Sequence, residues 1–308
     1  MKQFQNILCF VDASAKSQGA LHRAAELAGR NGASLKIVDA IDDTPSWFGM
    51  LLKSHGRGFE QQHRSELQSL AESVRSQVKT VTSELLYGRP ALAVVREVLQ
   101  HGFDLVMKDA RGTSTHKTLL LGSIDMRLLR NCPCPVWLNA PNRDMTHDVV
   151  LAAVDPLADD PEHKDMNQTI LQLASSLAML DNAELHVICA WEARGESMLA
   201  GRVTHERLLE YVTESHQTAK HRLAQVLGPI RPRIDQQRVH LRKGEPADVI
   251  LSYASEIQCD LLVIGSVARG IPGLLMGNTA DTVLRQIECS VMTVKPKSFV
   301  SPVKLNWT

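Results

Sequence analysis

The chain has 308 residues, with 34 Lys plus Arg against 34 Asp plus Glu and a hydrophobic fraction of 44%. At roughly 150 residues per domain that length fits two domains or one large one. The zero formal charge lacks the basic excess of proteins that live on nucleic-acid phosphates or anionic membranes, and the ordinary apolar fraction excludes disorder, collagen and coiled coil. No apolar run approaches the ~18 residues that span a bilayer, and residues 1–6 lead straight into a strand-like run rather than a signal peptide. These readings predict a cytoplasmic, soluble chain with no nucleic-acid and no membrane partner.

In chain order, 7–11 is a short apolar run rich in branched residues, as a buried parallel strand should be. Residues 21–27 have helical spacing, with Gly29 and Gly32 as stop signals, and 35–40 is a second strand. A helix is expected over 64–81, with Leu67, Leu70, Val74, Val78 and Val81 on one stripe, then a strand at 85–87. Helix 91–100, strand 105–108, helix 120–130 and strand 136–138 complete a first set. Strands near 149–154, 185–190, 238–241, 261–264 and 291–294 alternate with helices in a second. Alternation of this kind means a parallel sheet with helices on both faces. Polar, turn-rich 141–147 reads as the linker.

The two sets are copies. Tyr87-Gly88-Arg89-Pro90-Ala91 returns as Lys243-Gly244-Glu245-Pro246-Ala247, and Phe103-Asp104-Leu105-Val106-Met107 as Cys259-Asp260-Leu261-Leu262-Val263, both at an offset of 156. Gly122 aligns with Gly277, Leu129-Arg130 with Leu284-Arg285 and Cys134 with Cys289, all at an offset of 155. Ile7-Leu8-Cys9-Phe10-Val11-Asp12 corresponds to Val150-Leu151-Ala152-Ala153-Val154-Asp155. Blocks repeated in the same order signal tandem duplication.

The duplication places polar groups where open α/β sheets bind ligands, beyond the carboxyl ends of the strands. Asp12 and Asp155 follow their first strands, where a carboxylate accepts hydrogen bonds from ribose hydroxyls or serves equally as a helix cap or turn residue. Gly265 follows 261–264 at once, and a helix starting near Gly277 offers unpaired N–H groups to an anion, with the Thr279 hydroxyl as a further donor. Loop geometry alone also accounts for the glycines at 265, 270, 273 and 277. Twelve dispersed histidines lack an HExxH pair and fit solvated helix positions better than a metal site. The six cysteines are expected as reduced thiols, since Cys132-Pro133-Cys134 is not a CxxC pair and no second pair stands at zinc spacing. No GxxxxGK[ST], GxSxG or GxGxxG motif occurs, and no nucleophile–base pair emerges, so binding is expected rather than catalysis.

This duplicated pattern resembles the universal stress proteins, in their tandem form, over essentially the whole chain. The carriers are the aspartate that twice ends the first strand, Gly277-Asn278-Thr279-Ala280 followed by Val283, and a tail after Lys295-Pro296 containing Ser301-Pro302-Val303. The resemblance implies an α/β fold of two universal-stress-protein domains, 1–142 and 147–308, of the adenine nucleotide alpha hydrolase-like, Rossmann-like kind. Each is an open five-stranded parallel sheet with helices on both faces, and the two pair through their last strands as an intrachain pseudo-dimer. Whether two chains then form a homodimer stays open. It also implies a cytoplasmic stress-response protein that binds ATP or a related adenine nucleotide, with Mg, without turnover.

The family's phosphate loop is G-x2-G-x9-G-(S/T), with Ala40 and Ala190 at the adenine end of strand two. The second copy reads Gly265-x2-Ala268-x8-Gly277-Asn278, with Ser266 and Thr279 alongside; alanine replaces a glycine and the spacer is one residue short. The first copy reads Asp109-x2-Gly112-x9-Gly122-Ser123, and a carboxylate in place of the first glycine repels a triphosphate unless a metal or Lys108 neutralises it. The nucleotide is therefore expected in the second copy. The alternatives are a partner-binding scaffold with decayed sites, or a pocket for a lipid or metabolite with an apolar tail. Residues 45–59, with Trp47, Phe48, Met50, Leu51 and Leu52 beside Lys53, His55 and Arg57, and residues 193–204, with Met198 and Leu199, read as lids or partner surfaces.

Overall fold

The computed structural model describes residues 4–11, 18–42, 47–110, 121–140, 147–158, 160–230, 233–266 and 276–305, with backbone alone at 47–57 and 59. The chain divides into two compact units, 1–145 with 288–295 and 299–308, and 146–287 with 296–298.

The first unit runs β1 (Asn6–Phe10), α1 (Gly19–Asn31), β2 (Ser34–Ile41), α2 (Trp47–Val74), β3 (Thr80–Tyr87), α3 (Pro90–His101), β4 (Leu105–Asp109), α4 (Ser123–Asn131) and β5 (Val136–Asn139). Its strands lie in the order β3-β2-β1-β4-β5, all parallel. Ile7, Leu8 and Cys9 of the central strand are fully buried, as a strand covered on both faces requires.

The second unit repeats the scheme with β6 (Val149–Ala153), α5 (Pro161–Asp181), β7 (Glu184–Trp191), α6 (Glu196–Leu199), α7 (His205–Leu227), a single tighter turn (Gln236–Arg238), β8 (Val239–Lys243), α8 (Pro246–Glu256), β9 (Leu261–Gly265) and α9 (Asn278–Gln286). Its order is β9-β6-β7-β8, again parallel.

The last strand, β10 (Ser290–Val294), groups with the first unit and pairs antiparallel with β5, setting Val291 against Leu138, Met292 against Trp137 and Thr293 against Val136. The final strands of the two copies thus pair, as the family resemblance implies. The pairing gives β5 a partner on a side that would otherwise present unpaired N–H and C=O groups. The sequence repeat assigns 147–308 to the second copy, whereas in space β10 and residues 299–308 group with the first. The tail is held there by hydrogen bonds: Lys295 Nζ donates to Leu129 O at 2.7 Å and Ser301 Oγ to Asn131 O at 2.7 Å. Both acceptors are carbonyls of the last turn of α4, which have no partner within the helix.

One expected element is corrected. The helix predicted over 64–81 ends at Val74, and Val81 lies in β3, whose pairing with β2 runs from Ser34–Thr80 to Ile41–Tyr87. Thr80-Val81-Thr82 is a β-branched run, which favours a pleated strand, and Val78 and Val81 mimicked a helical stripe only by spacing. The repeated Gly-x-Pro-Ala signature also has a local cause. Gly88 (φ 107°) and Gly244 (φ 143°) turn the chain off β3 and β8, and Pro90 and Pro246 then open α3 and α8.

Candidate functional site

In the second unit the chain leaves β6 toward β7 and β8 and returns on the other side as β9, so the crevice at the carboxyl ends of β6 and β9 is the topological switch point. Asp155 stands there, half-buried, two residues past β6. Its backbone is clamped by α5: Asp155 N donates to Asn167 Oδ1 and Asn167 Nδ2 donates to Asp155 O, each at 2.9 Å. Asn167 is 1% exposed, so neither bond competes freely with water.

Across the crevice β9 ends at half-buried Gly265, followed by fully buried Ser266. A Cβ on Gly265 would lie 2.6 Å from Met166 Cε and 2.8 Å from its Sδ, so the glycine lets an α5 methionine close over the strand end. Packing therefore accounts for Gly265 as directly as phosphate approach does. Gly277 N donates to Ser266 O at 3.2 Å and draws the two ends of the intervening loop together. Gly277 then serves as an extended N-cap (φ −73°, ψ 150°) of α9, with no side-chain cap bond; Asn278 is exposed and Thr279 half-buried in the first turn. Ala268, Gly270 and Gly273 lie outside the described residues.

Ala190 sits half-buried in β7 opposite Arg242. Next to it Trp191, Ala193 and Ala219 form a buried cluster with Leu157, Tyr211, Val212 and Leu241. His216 of α7 packs on Trp191 at 5.1 Å between ring centroids. Tyr211 Oη donates to Arg194 O at 2.8 Å, and Arg222 Nη1 to Leu157 O at 3.1 Å. Sequence reasoning missed this apolar wall. Its one local signal is Trp191, immediately after Ala190; the α7 residues come from further along the chain.

The first unit is built differently at the aligned positions. Asp109 ends β4 where the second copy has Gly265, and its Oδ1 accepts the Ala20 N–H at 2.8 Å and Asn139 Nδ2 at 2.8 Å. Burial pushes the Asp109 carboxyl above the ordinary carboxylate range, against these hydrogen bonds from Asn139 and Ala20. Lys108 donates to the Asp109 backbone carbonyl at 2.7 Å, and its ammonium lies 2.9 Å from Asp125 Oδ1. Asp125, 1% exposed, in turn accepts the Gly122 N–H at 2.8 Å. The loop amide at Gly122 and the lysine are thus engaged by the chain's own carboxylate. At the aligned positions the second copy has Ile264 and Ala280, both buried and apolar.

Ala40 is half-buried in β2; Asp39 Oδ1 accepts its N–H at 2.7 Å, and Asp39 Oδ2 lies 2.8 Å from His63 Nδ1. Ser123 is exposed and Gly122 half-buried, while Asp12 and Gly112 lie outside the described residues. The side chains of the apolar 47–52 group also lie outside them. Among the described residues, no three His, Cys, Asp or Glu side chains gather as a metal site, and no helix is long and apolar enough to cross a membrane.

Comparison with known proteins gives the same duplication. A model described as the universal stress protein family matches residues 3–138 and again 148–295. Universal stress protein E of Escherichia coli K12 is 27% identical over 320 residues, covering 99% of this chain and 98% of that one. The universal stress protein E homolog of Haemophilus influenzae is 28% identical over 310 residues, covering 96% and 98%. Among solved structures, a universal stress protein assigned in Pseudomonas aeruginosa UCBPP-PA14 superimposes with a TM-score of 0.74 at 25% identity, over 96% of this chain and 95% of that one. One from Archaeoglobus fulgidus, at 20% identity and a TM-score of 0.66 over 95% and 99%, shares the fold.

Proposed function

From the premise that the chain belongs to the universal stress protein family, with both halves matched, we propose that its second unit binds an adenine nucleotide and that the first does not. The observation that carries this reading is the contrast at one aligned position. Gly265 ends β9 without a side chain, whereas Asp109 ends β4 with a carboxylate already bonded to Ala20 and Asn139.

In this reading Asp155, held by Asn167, accepts from the ribose hydroxyls. Ala190 and the wall around Trp191 take the adenine face. Gly265, Ser266, Ala268, Asn278 and Thr279 offer backbone and hydroxyl donors to phosphates at the start of α9, and Gly277, whose N–H goes to Ser266 O, leaves room for the close approach. The donor set fits an anion in the second unit, where Ala280 stands in place of the Asp125 carboxylate that takes the Gly122 N–H in the first. In the first unit Asp12, Ala40, Gly112, Gly122 and Ser123 keep the pattern, but the Asp109 carboxyl occupies the place of Gly265, and Asp125 already holds the Gly122 N–H and the Lys108 ammonium. ATP with Mg is the ligand proposed, and the protein acts in the cytoplasm as a stress-response binder without turnover.

Isothermal titration of the full chain with ATP and Mg tests the reading. One site is expected, and Asp155→Ala should weaken it by about 10- to 100-fold, the range for hydrogen bonds to a charged acceptor. Unchanged affinity in Asp155→Ala would overturn it. A second reading, a partner-binding surface, is favoured by one observation: Met198, Val203 and Leu209, on and between α6 and α7, are 60%, 36% and 52% exposed. Ligand-free protein whose pull-down is lost in Met198→Ser would select it.

A further inference from the structure

Cys132, Pro133 and Cys134 join the end of α4 to β5, and Pro135 follows. The prolines fix φ at 133 and 135 and bias both cysteines toward extended backbone; Cys132 is indeed extended, at φ −72° and ψ 130°. The two sulfurs lie 3.5 Å apart. Cys132 is fully buried and its N–H bonds to Leu128 O, while Cys134 is half-buried. Beside them the Lys295 ammonium donates to Leu129 O and lies 4.5 Å from the centre of the Phe299 ring. At the aligned positions the second copy has Ile287 for Cys132 and Cys289 for Cys134, and the first copy has Ala140 where the second has Lys295.

We propose that Cys132 and Cys134 form a reversible dithiol–disulfide site that reacts with peroxide. The Cys134 thiolate attacks one peroxide oxygen, the O–O bond breaks, and the departing hydroxide takes up a proton as water, leaving a sulfenic acid. Cys132 then attacks the Cys134 sulfur; an S–S bond forms, its thiol proton joins the departing hydroxyl, and a second water leaves. Two thiols and one peroxide become one disulfide and two waters. Two molecules of a small thiol such as glutathione reverse the change, themselves oxidised to their disulfide.

Geometry favours this pair over the other cysteines. The sulfurs need to close from 3.5 Å to about 2.05 Å. A ring spanning one intervening residue is strained, and strained disulfides are readily reduced, which suits a labile site rather than a structural bridge. The Lys295 charge sits close enough to feel both sulfurs and favours the thiolates that react. The contact with Cys132, burial and the Asp104 carboxylate, which opposes the Lys295 charge, hold the Cys134 thiol well above its ordinary range, so oxidation accelerates as pH rises.

The test is mass spectrometry of the full chain, treated with hydrogen peroxide and then alkylated without reductant. The tryptic peptide 131–143 contains both sulfurs and no other cysteine. Expected is loss of two hydrogen masses from this peptide, restored by dithiothreitol, with the rate lowered several-fold in Lys295→Met. In Cys134→Ser, Cys132 should remain alkylatable. Three results would overturn the proposal: both cysteines of that peptide alkylated after treatment that oxidises others, stable oxygen addition without a disulfide, or pairing of Cys134 with a different cysteine.

Discussion

The Oδ1 atom of Asp109, at the end of β4, accepts the backbone N–H of Ala20, in the first turn of α1, at 2.8 Å. The N-cap residue of α1, Gln18, makes no side-chain cap bond. A strand residue far along the chain therefore supplies the anion that a helix start attracts, at the position where the second copy carries glycine.

Asp109→Ala should destabilise the first unit by about 1–2 kcal/mol, through loss of the cap and of the Asn139 partner, read as a lower urea midpoint. Titration adds a signature. Because the folded carboxyl is raised, the folded chain binds its proton more tightly than the unfolded chain. This group's contribution is greatest below the unfolded value of about 3.9 and falls as pH rises through the folded one. Asp109→Asn should remove that slope, so a wild-type-minus-variant curve that is flat with pH contradicts the assignment.

Lys295 gives the opposite slope. Burial lowers its folded value to about 8 from 10.5, so between those values the unfolded chain carries the extra proton. Its contribution to stability should rise with pH across that window, by about 3 kcal/mol, opposed by the buried Cys9 and Cys134 thiols, so the rise is read as the wild-type-minus-Lys295→Met difference. Urea unfolding across the window checks it.

Gly244→Ala forces a Cβ onto a backbone at φ 143° and to within 3.1 Å of Val249 Cγ2. The cost expected is about 1–3 kcal/mol, because that region of φ is held almost entirely by glycine. Thermal unfolding measures it, and a variant as stable as the parent refutes the backbone account of the repeated Gly-x-Pro-Ala signature.

Asn167→Ala removes both bonds to the Asp155 backbone. Two groups in a half-buried turn then lose their partner, at about 1–3 kcal/mol. The proposed ATP affinity should fall along with stability, in parallel titration and denaturation. Full affinity in a destabilised variant would separate Asp155 from ligand binding.

Much of this could be read locally. The apolar runs of β1, β6 and β9, the Gly and Pro that end strands and open helices, and the duplication all follow from constraints within a few residues. The helix predicted to reach Val81 failed because spacing alone does not distinguish a stripe from a strand that begins with Thr80, Val81 and Thr82. At the candidate site the sequence marked Asp155, Gly265 and Gly277 but not Asn167, Met166 or the Trp191 wall. Asn167 and Met166 come from α5 and most of the wall's partners from α7, and apart from Trp191 itself no pattern around the strand ends points to them.

By itself, then, the amino-acid order determined a duplicated α/β chain and the turns at which ligands gather, since backbone geometry and hydrophobic periodicity act between near neighbours. Only the tertiary structure decided that Asp109 caps α1, that Met166 closes over Gly265, and that β10 and the tail group with the first unit. Each of these satisfies a hydrogen-bonding group or fills a space with a residue distant in sequence, and such partners become neighbours only after the chain has folded.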